Sequence, residues 1–418
     1  MKRYPQLAWC FYDWAHSAFS TIIITFVFSV YFSRGLVGDE TQGAGFWSLA
    51  MGASGFAVAV LSPYLGWVSD ITQRRLTWVA AFTIAGSLAT AFLFIGEPDA
   101  SYILILAVLI LAGLANASFE FAWVFANSLL PVLSKDGRMG TLSGRAWAFG
   151  YAGGLVALVL TLLLFVGIGD IRPLLPIAGD NSENIRATSI FAALWILVFS
   201  LPLFFWIREE PNPQRSKDVS FKQSFSGFFK RSKEIFRDRN LMLFLIASAI
   251  YRDGLVTLFA VGGVFAAAAF DMSFHQILLF AIGLNVTAAI GAFSMAALDD
   301  KKGSKHVVLF SLICLIATGT IIVFLQDATQ FIIASLFLGL FIGPVQAASR
   351  TMAASLAQPG NVAQVFGFYA LTGKSLAFIG PLIYGWLTLG FDNARAGLAS
   401  IIMFWILGAI ILAYVRKR

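Results

Sequence analysis

Long apolar blocks, separated by short polar segments, recur along the whole chain; two examples are residues 104–114 and 307–324. A helix needs about 20 apolar residues to cross the hydrocarbon core of a bilayer. Backbone in lipid must satisfy its own hydrogen bonds, and the alternation typical of barrel strands is missing, so the blocks predict helices. Twelve are predicted, near residues 7–33, 46–70, 76–95, 101–130, 142–167, 188–207, 241–270, 274–298, 306–325, 330–356, 362–389 and 395–415.

Charge differs sharply between alternate loops. One set of alternate loops has few basic residues, namely Arg34, Arg172, Arg186 and Arg395, whereas the other set is rich in them. The positive-inside rule therefore places both termini and the central linker in the cytoplasm, which requires an even number of crossings. The basic set consists of the linker together with Lys2, Arg3, Arg74, Arg75, Lys135, Arg138, Lys301, Lys302, Lys305, Arg416, Lys417 and Arg418.

Composition supports a polytopic membrane protein, since 59% of the 418 residues are hydrophobic and 12% are charged. Soluble domains have roughly 25% charged residues. The net charge of +7 lies in loops, where it encodes topology, so nucleic-acid binding is disfavoured. Cys10 and Cys314 fall in apolar segments and suggest neither a disulfide nor a thiolate metal site. The first segment contains Asp13 and His16 and is interpreted as a retained helix, not a signal peptide.

A polar linker, residues 208–240, divides the chain into residues 1–207 and 241–418, each predicted to form a six-helix bundle. The linker intersperses phenylalanines with lysines and arginines, a pattern that predicts an amphipathic helix on an anionic inner leaflet. The alternative is a flexible, solvated tether between the bundles.

The two halves repeat each other in order. Residues 11–13 align with 250–253, residues 66–74 align with 296–305 when one insertion is allowed, and the register places Asn127 near Arg350. An ordered series with a slowly drifting offset favours a parallel internal repeat over chance matches.

Residues 66–75 have the sequence GWVSDITQRR and resemble the signature loop of the major facilitator superfamily. The resemblance implies that Gly66 lets two helices approach and that Asp70 and Arg74 form a charge relay that braces one conformational state. The second copy keeps Asp300 and Lys305 but has Ala296 in place of the glycine. The alternative for Asp70 is a solvated charge at a helix end.

A closer resemblance is to the vacuolar-effluxer-like family, also called the unknown major facilitator family. It is carried by YDWAHSAF at 12–19, NSLLP at 127–131, SGR at 143–145, GYAGG at 150–154, QAASR at 346–350 and FGFYALTGK at 366–374. His16 and Arg252 depart from the family pattern, which has asparagine near both positions. The resemblance implies a twelve-helix major facilitator fold of two pseudo-symmetric bundles and export of small metabolites, with amino acids proposed for fungal members.

Polar residues inside the apolar helices are the candidate site, because an ionisable group in the membrane is costly unless it is paired or hydrated. The family fold places the first, fourth, seventh and tenth helices around the central cavity. The candidates for binding substrate or protons are Asp13, His16, Glu120, Asn127, Arg145, Arg252, Asp253, Gln346, Arg350 and Lys374.

Asp13 and Glu120 are the predicted proton carriers, and Arg145, Arg350 and Lys374 are the cations expected to bind a carboxylate on the substrate. The alternative is that these residues form internal ion pairs, such as Asp253 with Lys374 or Arg252. His16 is expected to make a hydrogen bond instead of a metal contact, because no second His or Cys follows it at helical spacing.

The predicted function is a secondary active transporter of small metabolites, an exporter that works by alternating access with possible coupling to protons. The alternatives are an uncoupled facilitator or exchanger and a membrane scaffold or lipid-handling protein. No enzyme motif, metal site or cofactor site is found in the sequence. We expect a monomer that spans a bacterial inner membrane, with an organelle membrane as the alternative. Its expected partners are a small-molecule substrate, the bilayer and, if transport is coupled, protons.

Overall fold

The computed structural model describes residues 4–134, 136–167, 172–177, 179–209 and 221–416, without the side chains of residues 221–224, 274, 275 and 278. Several residues used to predict topology therefore lie outside the described part: Lys2, Arg3, Lys135, Lys417, Arg418 and the linker stretch 210–220.

The described residues are helical and contain no strand, as predicted, and twelve helices are long and apolar enough to cross a membrane. The first six are α1 Tyr4–Leu36, α2 Glu40–Thr72, α3 Arg75–Ile95, α4 Tyr102–Leu133, α5 Met139–Val166 and α6 Glu183–Trp206. The linker contains α7, Phe221–Arg237. The second set is α8 Arg239–Phe270, α9 Phe274–Lys302, α10 Ser304–Phe324, α11 Ala328–Leu356, α12 Val362–Phe391 and α13 Ala394–Ala413.

Polar loop residues cap several of these helices at their amino ends. The Asp39 carboxylate accepts from the amides of Thr41 and Gln42 at the start of α2. Ser273 and Gln276 form a reciprocal capping box at α9. The caps satisfy amides that would otherwise have no partner, so these helices begin at defined residues.

Several membrane helices have irregular backbone, among them α1 and α12. In α1, π-helix runs over Phe19–Phe26 and Phe32–Leu36, directly after the segment that contains Asp13. In α12, helical geometry ends at Leu376 and resumes at Ile379. Irregular backbone at membrane depth is tolerated where protein or a polar cavity surrounds it, and π-turns frequently occur at functional sites.

The described residues group into two compact units. One lies within Met1–Val58, Arg74–Ala126 and Phe149–Glu210, and the other within Ala59–Gln73, Asn127–Ala148 and Pro211–Arg418. The second unit includes one end of α2 and the junction of α4 with α5, so this grouping differs from the sequence-based division at residues 208 and 241. That division into bundles stays a prediction.

Large apolar side chains are exposed on the membrane helices, among them Ile103 at 83%, Leu389 at 84% and Trp386 at 74% exposure. A water-soluble protein rarely exposes so many, whereas lipid is an apolar solvent for them. The buried core of the first unit is aromatic and aliphatic, with Phe28 and Phe32 fully buried.

Small residues hold α9 against α11. A Cβ placed on Gly291 would collide with the Leu340 backbone, and one on Gly343 would collide with the carbonyl of Ala288. In lipid, where helices gain little from burying apolar area against each other, such close backbone approach supplies van der Waals contact.

We predict that Gly291→Ala destabilises the protein by about 1–3 kcal/mol, because the added methyl group must push two helix backbones apart. Thermal unfolding in detergent measures this effect. Gly52→Ala is the matched control, since nothing lies within 4 Å of that Cβ position. An equal melting temperature for the two variants would contradict the packing argument.

Candidate functional site

Asp70 caps the start of α12. Its carboxylate, 4% exposed at the end of α2, accepts from the Ala363 amide at 3.1 Å and the Gln364 amide at 2.9 Å. The amino end of a helix carries partial positive charge and unsatisfied amides, so a buried carboxylate is stabilised there. Asp70 therefore fastens α2 to α12.

Asp300 repeats this arrangement in the other copy of the motif. It lies at the end of α9 and accepts from the Gly140 amide at 2.6 Å, the Thr141 amide at 2.9 Å and the Thr141 hydroxyl. These donors form the first turn of α5. The neighbouring Asp299 is 4% exposed and packs against Gly140. The two copies of the motif thus fasten two helix pairs with the same chemistry.

Glycines permit both contacts. A Cβ on Gly66 would collide with the Ala363 carbonyl, and one on Gly367 would collide with the Ser62 carbonyl, so α2 and α12 touch through their backbones. At the other pair the glycine, Gly144, lies on α5 and faces Ala296 of α9. Gly66, which the sequence resemblance led us to expect at a close approach of two helices, lies at this contact.

Arg350 lies at the centre of a buried polar network and is 0% exposed. Its guanidinium donates to the Ser143 hydroxyl at 2.9 Å, the Ser143 carbonyl at 2.7 Å and the Asn127 side-chain oxygen at 3.2 Å. Ser143 in turn donates to the Ala347 carbonyl. The planar fork of the guanidinium thereby ties α11 to α4 and α5.

Asp253, 1% exposed on α8, accepts from the Gly380 amide at 2.9 Å, just past the interruption in α12. Its other oxygen, Oδ1, and the hydroxyl of Thr257 have no hydrogen-bond partner among the described residues. Both atoms lie within 3.0 Å of the position that a Cβ on Gly380 would occupy. The broken helix therefore meets a buried carboxylate with spare hydrogen-bonding capacity.

Arg252 precedes this aspartate on α8 and turns toward the first half of α12. It donates to the Tyr369 carbonyl at 3.1 Å, and its guanidinium lies 4.0 Å from the centre of the Tyr369 ring. A cation over an aromatic face in a low-dielectric site is held by both contacts.

In the other unit, Asp13 is 8% exposed on α1 and Glu120 is half-buried on α4. His16 of α1 faces α4, and its Nε2 lies 3.1 Å from the Phe119 carbonyl oxygen. Tyr12 shares a 2.8 Å hydrogen bond with Thr83 of α3. These contacts pack the α1 segment that contains Asp13 against α3 and α4.

The remaining candidates are spread over several environments. Arg145 is exposed on the second turn of α5, whereas Gln346 and Lys374 are half-buried. Arg74 is exposed before α3, and Lys305 donates to the Ala413 and Val415 carbonyls at the end of α13. The relay of Asp70 or Asp300 with these basic residues, and substrate contact by any candidate, stay predictions.

Sequence reasoning missed Gln364 and Ser232. Gln364, fully buried, donates from its side chain to the Ser232 hydroxyl of α7 at 3.1 Å while its amide binds Asp70. A glutamine within the apolar run that follows Asn361 was the available signal. Thr257 was also missed, because a threonine in a membrane helix usually bonds its own helix backbone.

We predict that Asp70→Ala loosens the start of α12, because two amides lose a charged acceptor worth about 1 kcal/mol as a cap. The reporter is Val365→Cys, buried in the first turns of α12, in a protein whose Cys10 and Cys314 are replaced by Ser. Maleimide labelling should accelerate by about fivefold.

Asp39→Ala is the matched control, since it removes an equivalent cap at the opposite end of α2. Equal labelling rates for the two variants would mean that Asp70 does not hold α12.

Solved transporters share this fold. One is a bacterial homologue of the iron transporter ferroportin in an outward-facing state, with TM-score 0.75 and 15% identity, covering 99% of each chain. Another is the human organic anion transporter MFSD10, with TM-score 0.77 and 14% identity, covering 98% of this chain and 99% of that one. At these identities the likeness shows the fold alone.

Sequence relatives cover most or all of the chain. An uncharacterized MFS-type transporter, YxiO of Bacillus subtilis, is 24% identical over 100% of this chain and 96% of its own. Autophagy-related protein 22 of Kluyveromyces lactis is 23% identical over 77% of this chain and 69% of its own. The sequence model of the family described as "Vacuole effluxer Atg22 like" matches residues 30–418. The chain therefore belongs to that family, and it is a multi-pass transporter of the major facilitator type and not an enzyme.

Proposed function

We propose that the protein exports small metabolites, amino acids or similar solutes, by alternating access. The word effluxer in the family description supports the direction of transport. Positive-inside charge supports an inner-membrane location with both termini in the cytoplasm.

The observation that carries this proposal is the pair of equivalent caps, Asp70 on α12 and Asp300 on α5. On the proposed topology both lie at the cytoplasmic side, so they hold that side closed. Each cap consists of a few hydrogen bonds to helix amides, which water can replace when the contact opens. An interaction of this size is strong enough to favour one state and weak enough to be broken in each cycle.

An amino-acid zwitterion needs a cation for its carboxylate and an anion for its ammonium group. Lys374 and Arg145 are our candidates for the first role, and Asp13 and Glu120 for the second. Arg350 already uses its guanidinium to bind Ser143 and Asn127, which favours a role in joining helices. Within the described residues, no group of three His, Cys, Asp or Glu side chains is placed to hold a metal ion.

Proton coupling is supported by carboxylates inside membrane helices. Asp13 is almost fully buried, Glu120 is half-buried, and Asp253 has an oxygen without a hydrogen-bond partner among the described residues. Embedded carboxylates of this kind serve as proton relays in transporters. Uncoupled exchange is the second candidate, because Asp70, Asp300 and Asp253 all bind helix amides, a structural role that needs no proton.

The deciding experiment is flux of labelled amino acids and small metabolites in proteoliposomes, with and without a proton gradient. We expect gradient-dependent flux that falls on the order of tenfold or more in Asp13→Asn, Glu120→Gln or Asp253→Asn, because each removes an ionisable group from the membrane. Counterflow without a gradient should survive in Asp253→Asn, because Asp253 is not assigned to binding the cargo.

Asp39→Asn, in the loop before α2, is the control and should keep the dependence on the gradient. If flux through the wild-type protein does not depend on the proton gradient, the protein is an uncoupled exchanger. If no amino acid is transported, amino acids are excluded as the cargo.

A further inference from the structure

One face of the amphipathic helix α7 is docked on protein. Ile235 is 2% exposed and Ser232 is 4% exposed, and with Phe228 they fall on one helical face. The Phe228 ring lies 5.6 Å from that of Tyr64 on α2. Gly227 allows Trp67, also on α2, to approach the α7 backbone. The linker helix is thus packed against the last turns of α2.

A second face of α7 is apolar and open. Phe225, Phe229 and Phe236 are 47%, 56% and 51% exposed, and at 3.6 residues per turn they lie within about 40° of one another. Phe236 also contacts the Phe368 ring at 5.1 Å, so the stripe begins beside α12.

Basic side chains occupy the adjoining sector of the helix. Lys230, Lys233 and Arg237 are exposed there, and Glu234 lies beyond them, farthest from the phenyl rings. The order around α7 is therefore protein contact, phenyl rings, basic groups and acid. A helix in the plane of a bilayer has this order, with rings among the acyl chains and basic groups at the phosphates.

The docked face reaches the same turn of α12 that Asp70 caps. The Ser232 hydroxyl accepts from the Gln364 side chain at 3.1 Å, and the Gln364 amide donates to Asp70 at 2.9 Å. One residue of α12 is consequently held by α2 through its backbone and by α7 through its side chain. Any ligand that fixes α7 in this position also favours the contact between α2 and α12.

We infer that α7 is a latch that depends on acidic phospholipid. Its phenyl stripe and lysines bind an anionic bilayer surface, and that binding stabilises the capped arrangement of Asp70 and α12. Charge complementarity identifies the occupant, since basic groups beside the apolar stripe match acidic headgroups above acyl chains. The inference rests on the proposed alternating access, to which it adds regulation by lipid charge.

The first test places a spin label at Phe229→Cys or Glu234→Cys, in the protein with Cys10 and Cys314 replaced by Ser, in nanodiscs of phosphatidylglycerol and phosphatidylcholine. The label at 229 should be accessible to oxygen and the label at 234 to a water-soluble nickel complex. Equal nickel accessibility at both positions, in every lipid, would show that α7 lies in water or on another protein and would overturn the inference.

The second test measures how well α7 is held against α12. The quantity is the rate of disulfide formation between the two cysteines of the Ser232→Cys, Gln364→Cys double variant. Replacing phosphatidylglycerol by phosphatidylcholine should slow cross-linking, and Lys230→Glu with Lys233→Glu should slow it by about tenfold in the acidic lipid. Lys301→Glu with Lys302→Glu, exposed at the end of α9, is the charge-matched control. A cross-linking rate that does not change with lipid charge, even when the label at position 229 lies in the bilayer, would contradict the proposed latch.

Neither measurement depends on transport. If the flux experiment shows no amino-acid transport or no dependence on the proton gradient, the spin-label and cross-linking results can still be interpreted. Conversely, gradient-dependent flux that is equal in both lipids, together with lipid-independent cross-linking, would support the transport proposal and reject the latch alone.

Discussion

The structure depends on carboxylates that meet the amino ends of helices. Asp70 and Asp300 each satisfy amides that have no partner within their own helix. In a low-dielectric setting an unsatisfied amide is costly, so the carboxylate and the helix end must meet each other when water is excluded. They can meet only if the helix backbones touch, which is why small residues accompany each cap.

The two caps use the same chemistry but obtain their close approach differently. Gly66 and Gly367 give α2 and α12 a glycine on each side, whereas Ala296 faces Gly144, so at α9 and α5 the glycine comes from the capped helix. The loss of the leading glycine in the second copy of the motif is therefore compensated on its partner.

The sequence predicted the helices well, because an apolar block in lipid has few alternatives to a helix. It also drew attention to Asp70 and Asp300, because a motif is local, but the charge relay predicted for them stays a prediction. It predicted cargo binding by Arg350, but it could not show which neighbouring helices Arg350 faces, since this depends on how α4, α5 and α11 rotate and pack. The repeat paired Asn127 with Arg350 as equivalent positions, yet only the structure showed that they hydrogen-bond to each other, as equivalent residues do when they lie close to a pseudo-two-fold axis.

In each half of the chain, the aspartate within the first membrane helix lies beside irregular backbone. Asp13 precedes the π-helical segment of α1, and Asp253 binds the amide that follows the interruption in α12. Irregular backbone leaves hydrogen-bonding groups that a regular helix would consume, and a carboxylate without a full set of partners can use them. The capped ends, by contrast, have their amides satisfied and their backbones in contact. On the proposed alternating access, we therefore expect bending at the segments beside Asp13 and Asp253 more than at the capped ends, with the embedded carboxylates where the backbone changes shape.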